Sequence, residues 1–325
     1  MYCPRLDHFV RLNVNGTLGR CGHMTKAPGF SSLHELDNSE WLRNIKQQFS
    51  NDTWPAECQR CKDTEELSNT SIRLDSIEFD KTQSMQDYLI VGGTLDNICN
   101  SACQTCSANL STKIGSLTEK KFIKINNSKK FWSLPQSRIV QLDVNGGEPS
   151  ASKNYKDILA NLPPNVKTVR INTNCSKVMP EISDLLSRGI HVIVTVSLDG
   201  IGKIHDYVRW PIKFTDFERN LKQYQKLGVE LNTWTTVSAL NIVDFKNILD
   251  YVKEHKLQHS WALLEQPNVL SVKHSNHLTR KVKVPVELEK IVACGKDNSV
   301  ELQLFTNSQD MIRGIKLWDY YNEAF

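Results

Sequence analysis

The chain has 325 residues, a formal net charge of +4, and 39% hydrophobic and 23% charged side chains. These proportions are ordinary for a globular protein of one large or two modest domains. No apolar run approaches the ~20 residues of a membrane span, and residues 1–5 show no signal-peptide pattern. A charge of +4 is too small to indicate a nucleic-acid partner. We therefore expect a cytoplasmic protein without membrane contact.

Residues 1–85 contain four of the nine cysteines, at positions 3, 21, 58 and 61. Asn15-Gly16 is a strong hairpin signal, a helical pattern covers residues 39–49, and Cys58 and Cys61 form a CxxC pair. Clustered thiols favour an intracellular metal site over a disulfide scaffold. A CxxC pair is a common ligand unit for zinc and for iron–sulfur clusters, so both remain open here.

A second set of thiols follows a predicted strand at 88–94. Cys99, Cys103 and Cys106 have the spacing CxxxCxxC. Three thiolates on one loop can hold three irons of a 4Fe–4S cluster and leave the fourth iron open, whereas structural zinc usually has four protein ligands. The spacing favours the cluster, and a zinc knuckle is the alternative.

From residue 88 onward, strand patterns and helix patterns alternate, which predicts a parallel sheet built from βα units. The further strands are predicted at 138–144, 166–172, 190–197, 229–238 and 259–264. The helices are predicted at 155–162, 178–188, 216–227 and 242–254. Thr215 and Glu218 have the spacing of a capping box at the start of the third helix.

Two further motifs lie at predicted strand ends. Gly146-Gly147-Glu148-Pro149 follows the second strand, and the fourth strand runs into Ser197-Leu198-Asp199-Gly200, followed by His205 and Arg209. With the CxxxCxxC loop, this order of motifs resembles the radical S-adenosylmethionine (SAM) superfamily. The resemblance implies an α/β fold with a partial (β/α)6 TIM-like barrel over residues 86–270. Residues 271–325, with a helix at 286–293, would be a C-terminal extension packing on the barrel.

The resemblance also implies cofactors and site residues. Cys99, Cys103 and Cys106 would hold a 4Fe–4S cluster whose open iron binds SAM. The residues expected to contact SAM lie at the C-terminal strand ends, and His205 is expected to be structural. The SAM contacts are expected from Gly146, Gly147, Glu148, Asn172, Asn174, Ser197, Asp199 and Arg209.

Residues 1–85 resemble the auxiliary-cluster modules called SPASM and twitch domains, here as a small N-terminal α+β module. This resemblance implies that Cys3, Cys21, Cys58 and Cys61 ligate a second 4Fe–4S cluster. The twitch-type pattern often doubles the second cysteine, whereas Gly22 follows Cys21 in this chain. Cys3 is the least secure ligand, and His8 or His23 could replace it.

The expected activity is reductive cleavage of SAM to a 5′-deoxyadenosyl radical that abstracts a substrate hydrogen atom. Oxidation, epimerisation or bond formation would follow, on a peptide or protein or on a sugar-like small molecule, with an electron donor such as flavodoxin or ferredoxin. The chain shows no recognisable peptide-leader-binding domain, which slightly favours a small molecule or a folded partner.

Two further cysteines lie outside both clusters. Cys175 follows the third strand and could return a hydrogen atom to the substrate, or simply pack in the core. Cys294 is the weaker candidate of the two for a catalytic role.

A protein of another class remains as the alternative. Between residues 111 and 138 seven Lys or Arg stand against one Glu. That segment is either a basic rim for an acidic substrate or a solvated helix face. A zinc-bearing RNA-binding or nucleic-acid-modifying protein could use it, but would leave the glycine-rich motifs unexplained.

Overall fold

The computed structural model describes residues 1–118, 122–274 and 297–321, together with Leu288 and Val292. Its centre is one eight-stranded sheet in the order β2-β1-β3-β4-β5-β6-β7-β8. All neighbouring strands are parallel except the β1–β2 pair, so the predicted α/β fold is confirmed. The strands are β1 Phe9–Leu12, β2 Leu18–Gly19, β3 Leu89–Thr94, β4 Ile139–Asn145, β5 Thr168–Thr173, β6 His191–Ser197, β7 Glu230–Val237 and β8 Gln258–Leu263.

Helices connect the parallel strands, as parallel pairing requires. The helices before β3 are α1 Arg5–His8, α2 Leu33–Asp37, α3 Glu40–Ser50, α4 Gln59–Ser68 and α5 Ile72–Lys81. Between β3 and β8 they are α6 Thr112–Leu117, α7 Ser128–Trp132, α8 Lys153–Ala160, α9 Glu181–Ser187, α10 Lys203–Val208, α11 Phe214–Leu227 and α12 Phe245–Glu254. The last described helix is α13 Ser299–Arg313.

The two faces of the sheet have different chemistry because side chains alternate along each strand. In β5, Val169 and Ile171 are buried in the main hydrophobic core, which also contains Phe217 of α11. Arg170 and Asn172 of the same strand are exposed and line a cavity of about 1,310 Å³. One face therefore carries the core and the other carries polar groups around an open space.

The start of α11 differs from the predicted capping box. The helix begins at Phe214, one residue before Thr215, and its N-cap residue makes no side-chain hydrogen bond. Instead, the Phe214 N–H donates to Asp206 Oδ1 at 2.6 Å. A carboxylate from α10 replaces the local cap, which a pattern confined to the helix could not reveal.

The N-terminal hairpin belongs to the same sheet as the βα units. Its turn forms where predicted, with Gly16 at φ +80° and the Asn13 N–H donating to the Thr17 carbonyl at 2.9 Å. β1 lies parallel to β3, with Phe9 beside Ile90. The segments on either side of residue 85 are therefore joined by a strand pairing.

The C-terminal segment packs against the rest of the chain through buried polar contacts. Tyr207 Oη of α10 donates to Asp310 Oδ1 of α13 at 2.8 Å, and Tyr321 Oη donates to the Leu240 carbonyl at 2.6 Å. Cys294 and the predicted helix at 286–293, apart from Leu288 and Val292, lie outside the described residues. Within the described ranges, every helix is too short or too polar to cross a bilayer.

Candidate functional site

The three cysteines after β3 form a compact loop at the C-terminal edge of the sheet. Cys99 Sγ and Cys103 Sγ lie 3.2 and 3.5 Å from the same Ser101 hydroxyl. Burial, together with the smaller effect of the charges of Cys103 and Cys99, raises the pKa of the Cys106 thiol to about 12. Burial likewise raises the pKa of Cys99. Cys99 and Cys103 therefore meet at one hydroxyl, and Cys106 lies close enough for their charges to act on it.

The backbone of this loop is held by residues from distant parts of the chain. The Ala102 N–H donates to the Trp210 carbonyl at 2.7 Å, and the Gln104 N–H donates to the Val208 carbonyl at 2.8 Å. Arg313 Nε donates to the Ala102 carbonyl at 2.8 Å from 211 residues away. No motif marks Arg313, so sequence reasoning missed this support for the loop.

The two glycines after β4 pack directly on the start of the cysteine loop. Gly146 has φ +100°, and a Cβ there would lie 2.5 Å from Thr94 Cγ2. Gly147 has φ +48°, and a Cβ would collide with the Ile98 carbonyl oxygen. Only glycine combines these backbone angles with so close an approach. The motif thus brings the ends of β3 and β4 together.

Glu148 is almost fully buried, with 1% of its surface exposed. Its carboxylate accepts hydrogen bonds from the Ser150 N–H at 3.0 Å, from Thr173 Oγ1 at 2.7 Å and from the Asn174 N–H at 2.7 Å. The side chain therefore joins the end of β4 to the end of β5. Its predicted contact with the SAM ammonium stays a prediction.

Replacing Glu148 with glutamine is expected to destabilise the protein by about 2 kcal/mol, because an amide cannot accept all three bonds and its NH₂ would face a donor. Urea denaturation of the metal-free protein measures this loss. Glu78→Gln, at a surface carboxylate paired with Lys81, is the matched control and should change little. Equal midpoints for the two variants would contradict the buried role of Glu148.

The two asparagines at the end of β5 have different surroundings. Asn174 Nδ2 donates to Asn100 Oδ1 at 2.8 Å, so this side chain supports the cysteine loop. Asn172 Nδ2 donates to Asn145 Oδ1 at 2.8 Å on the open face of the sheet. Asn172 and Ser197 line the same cavity of about 1,310 Å³, where both are available to a ligand.

Asp199 is paired inside the protein. Its carboxylate accepts from Arg209 Nη1 at 2.5 Å and from the Thr236 N–H at 2.8 Å, and the exposed side-chain fractions are 2% for Asp199 and 12% for Arg209. Arg209 Nε is buried and has no hydrogen-bond partner among the described residues. The pair thus orients a guanidinium that keeps one N–H unpaired. The predicted contacts of both residues with SAM stay predictions.

Two other residues near these motifs lie in the core. Cys175 is fully buried, and its backbone has φ +58°. Its Sγ donates to the Phe217 carbonyl at 3.7 Å, and the Cys175 carbonyl accepts from Asn220 Nδ2 at 2.8 Å. The thiol therefore faces α11, whereas a hydrogen donor for a substrate would face the open side of the sheet. His205 is fully buried against Phe214 and Phe217, and burial lowers its pKa to about 3.

The four N-terminal thiols converge. Cys3, Cys21, Cys58 and Cys61 all line one small cavity. Burial raises the pKa of Cys3 and of Cys58 to about 12, and neighbouring thiols of the group contribute in the same direction. Metal binding would displace the protons that these thiols carry at neutral pH.

Cys3 lies with the other three thiols, whereas the two histidines proposed to replace it differ in position. His23 lines the same cavity. His8 stacks on Tyr88 with ring centres 4.1 Å apart, and its Nδ1 lies 3.1 Å from the Tyr88 carbonyl oxygen. Across the described residues, no three His, Cys, Asp or Glu side chains have the spacing that holds a single metal ion.

The basic side chains of residues 111–138 that the structure describes contact separate partners. Lys113 lies 5.7 Å from the centre of the Trp210 ring. Lys130 donates to the Ser31 carbonyl, and Arg138 pairs with Asp87. These contacts give no support to a nucleic-acid surface.

Comparison with known proteins finds similarity among solved structures only. No protein-family profile and no curated protein matches the chain. Native anSMEcpe with bound AdoMet aligns at 17% identity and TM-score 0.42, over 54% of this chain and 52% of that one. The chain therefore spans about half the length of anSMEcpe.

Two structures of SuiB from Streptococcus suis align over more of the chain. SuiB bound to S-adenosylmethionine has 14% identity and TM-score 0.44, over 98% of this chain and 74% of that one. SuiB bound to its precursor peptide SuiA has 15% identity and TM-score 0.44, over 94% and 69%. The CxxxCxxC loop, the GGEP turn and the SLDG turn of the present chain all lie at the C-terminal ends of parallel strands. The three motifs of this chain therefore lie along one edge of its sheet.

Proposed function

We propose that this protein is a radical SAM enzyme that abstracts a hydrogen atom from its substrate. The observation that carries the proposal is the loop of Cys99, Cys103 and Cys106 at the C-terminal edge of a parallel sheet, where the first two sulfurs lie at one Ser101 hydroxyl. Catalytic sites of barrels built from βα units lie at this edge. Three thiols suit a cluster with one open iron.

When bound, a reduced 4Fe–4S cluster and SAM supply a 5′-deoxyadenosyl radical that removes a hydrogen atom from a C–H bond. Cys99, Cys103 and Cys106 would hold the cluster on a loop that Arg313 keeps in place. Arg209, oriented by Asp199, has a free N–H suited to a carboxylate such as that of the methionine moiety.

The remaining predicted SAM contacts divide into ligand-facing and supporting residues. Asn172 and Ser197 line the open cavity, where an amide and a hydroxyl can hydrogen-bond ribose. Gly146 and Gly147 keep backbone near the loop free of side chains. Glu148 and Asn174 support that arrangement through their bonds to Thr173 and Asn100.

We further propose a second 4Fe–4S cluster on Cys3, Cys21, Cys58 and Cys61, since these thiols line one cavity. It would remove an electron from the substrate radical, which favours oxidation or bond formation over epimerisation. The substrate would be a peptide or protein or a sugar-like small molecule, and a flavodoxin or ferredoxin would supply the electrons.

The proposal is tested by adding SAM to the anaerobically reconstituted, dithionite-reduced protein. We expect release of 5′-deoxyadenosine and methionine, and a change in the electron paramagnetic resonance signal of the reduced cluster when SAM binds. Iron and sulfide analysis of the same sample distinguishes a cluster from zinc. A protein that holds zinc and leaves SAM intact would refute the function.

Cys175→Ala is expected to leave product formation unchanged, because this thiol faces α11. With the substrate in hand, the reaction is run in deuterated solvent and the product mass is measured. A product two mass units lighter, made equally well by the variant, fits an oxidative outcome. Solvent deuterium at the reacting carbon, lost together with turnover in Cys175→Ala, would show instead that Cys175 donates hydrogen.

A further inference from the structure

A separate cavity of about 780 Å³ lies between the sheet and the N-terminal thiols. Its walls come from α1, β1, α5 and the ends of β3 and β4, and they include two arginines, Arg5 and Arg11. Arg5 also lines the cavity of the four thiols. The space therefore adjoins both the open face of the sheet and the proposed second cluster.

Arg5 is a buried guanidinium that makes no ion pair within the described ranges. Only 8% of its surface is exposed, and its Nε has no hydrogen-bond partner among the described residues. Its guanidinium carbon lies 3.6 Å from the centre of the Phe9 ring. That ring occupies the space beside Gly92, where an added Cβ would lie 2.5 Å from Phe9 Cζ. A stacked, desolvated guanidinium with free N–H groups is a strong binding group for an anion.

Arg11 lies in the sheet between two glycines. The residues paired with it in the sheet are Gly19 in β2 and Gly92 in β3. Because both are glycines, neither paired residue has a side chain that could cover Arg11. Within the described ranges it makes no ion pair. It also lines an outer cavity of about 1,370 Å³ that contains Lys124. A path with positive charges thus leads from the surface to Arg5.

Asp143 is the carboxylate that lines this cavity, and it interacts electrostatically with Arg5. Asp143 has partners of its own, with Gln141 Nε2 donating to it at 2.7 Å and Arg170 Nε lying 3.6 Å away. His23 also lines the cavity and can add a hydrogen bond.

We propose that Arg5 and Arg11 form a subsite for an anionic group of the substrate, a carboxylate or a phosphate. This rests on the proposed function only in naming the ligand as a substrate. The planar guanidinium matches two oxygens of either group. The enzyme would then prefer substrates with an acidic side chain, a free carboxyl end or a phosphate, and would discriminate against cationic ones.

Arg11 is the residue to change, because Arg5 lines the thiol cavity and Arg11 does not. A variant at Arg11 therefore tests anion binding without disturbing the lining of the proposed second cluster. Calorimetric titration of the full-length reconstituted protein with inorganic phosphate, and separately with succinate, measures the binding. We expect at least one of the two anions to bind, and Arg11→Met to weaken it by about tenfold or more, as the loss of a charge-assisted contact does. The affinity of Arg11→Lys should lie between those of the wild type and Arg11→Met, because lysine keeps the positive charge but lacks the planar guanidinium that can bind two oxygens.

Arg188→Met is the matched control, because this arginine is paired with Asp184 on the surface. The affinity of this variant for the anion should equal that of the wild type. Circular dichroism and iron content verify that each variant is folded and loaded. Binding of succinate alone identifies a carboxylate subsite, and binding of phosphate alone a phosphate subsite. Equal affinity in Arg11→Met, or no binding of either anion, would overturn the proposal. Since titration needs no SAM cleavage, a protein that binds the anion but leaves SAM intact refutes the function and not the subsite.

Discussion

Changing any one of Cys99, Cys103 and Cys106 to alanine is expected to abolish SAM cleavage, leaving only the level of a protein-free control. The three thiols are the ligands that the loop offers, and the shared Ser101 hydroxyl places two of them on one side. With two ligands left, a 4Fe–4S cluster loses the geometry that leaves one iron open to SAM. Chromatographic measurement of 5′-deoxyadenosine after reduction with dithionite gives the result.

Cys175→Ala is the matched control for these three variants, since it also removes a buried thiol but one that contacts α11. It should retain iron and cleave SAM at the wild-type rate. Wild-type cleavage by any one of the three loop variants would show that the cluster is held elsewhere.

Loss of about half the iron is the result expected from the triple variant Cys99/Cys103/Cys106→Ala. The wild-type protein should hold about eight irons, four in each cluster, and the N-terminal thiols should keep their four. The complementary variant, with Cys3, Cys21, Cys58 and Cys61 changed to alanine, should keep the other four. Iron, zinc and sulfide are measured in each sample after anaerobic reconstitution.

The complementary variant also tests what the N-terminal site does. It should still cleave SAM while failing to form an oxidised product, if the second cluster accepts the electron. Zinc in the triple variant, in place of the retained iron, would show that the N-terminal site is structural.

Much of the parallel sheet could be predicted because strand and helix patterns are local. All six strands predicted from residue 88 onward are present within two residues of their expected ends, since β-branched residues and alternation mark them. The hairpin at Asn15-Gly16 was equally local. Contacts between residues from different elements were not predicted. At the start of α11, for example, Asp206 of α10 replaces the predicted cap.

Side-chain direction and long-range support were also beyond the sequence. The pattern placed Cys175 at a strand end but could not show that φ +58° turns its thiol toward α11. Nor could it show that Asp199 pairs with Arg209, or that Arg313 holds the cysteine loop. These facts depend on how distant elements pack, which motif spacing does not encode.

The pairing of β1 with β3 has a consequence for how this protein can be divided. Residues 89–91 of β3 are almost fully buried, and without β1 the strand would become an exposed apolar edge of the sheet. Such edges recruit strands from other molecules and cause aggregation. The segment before residue 86 therefore protects an edge of the sheet as well as carrying thiols, and a shortened chain would need a charged or proline-bearing β3 to resist aggregation.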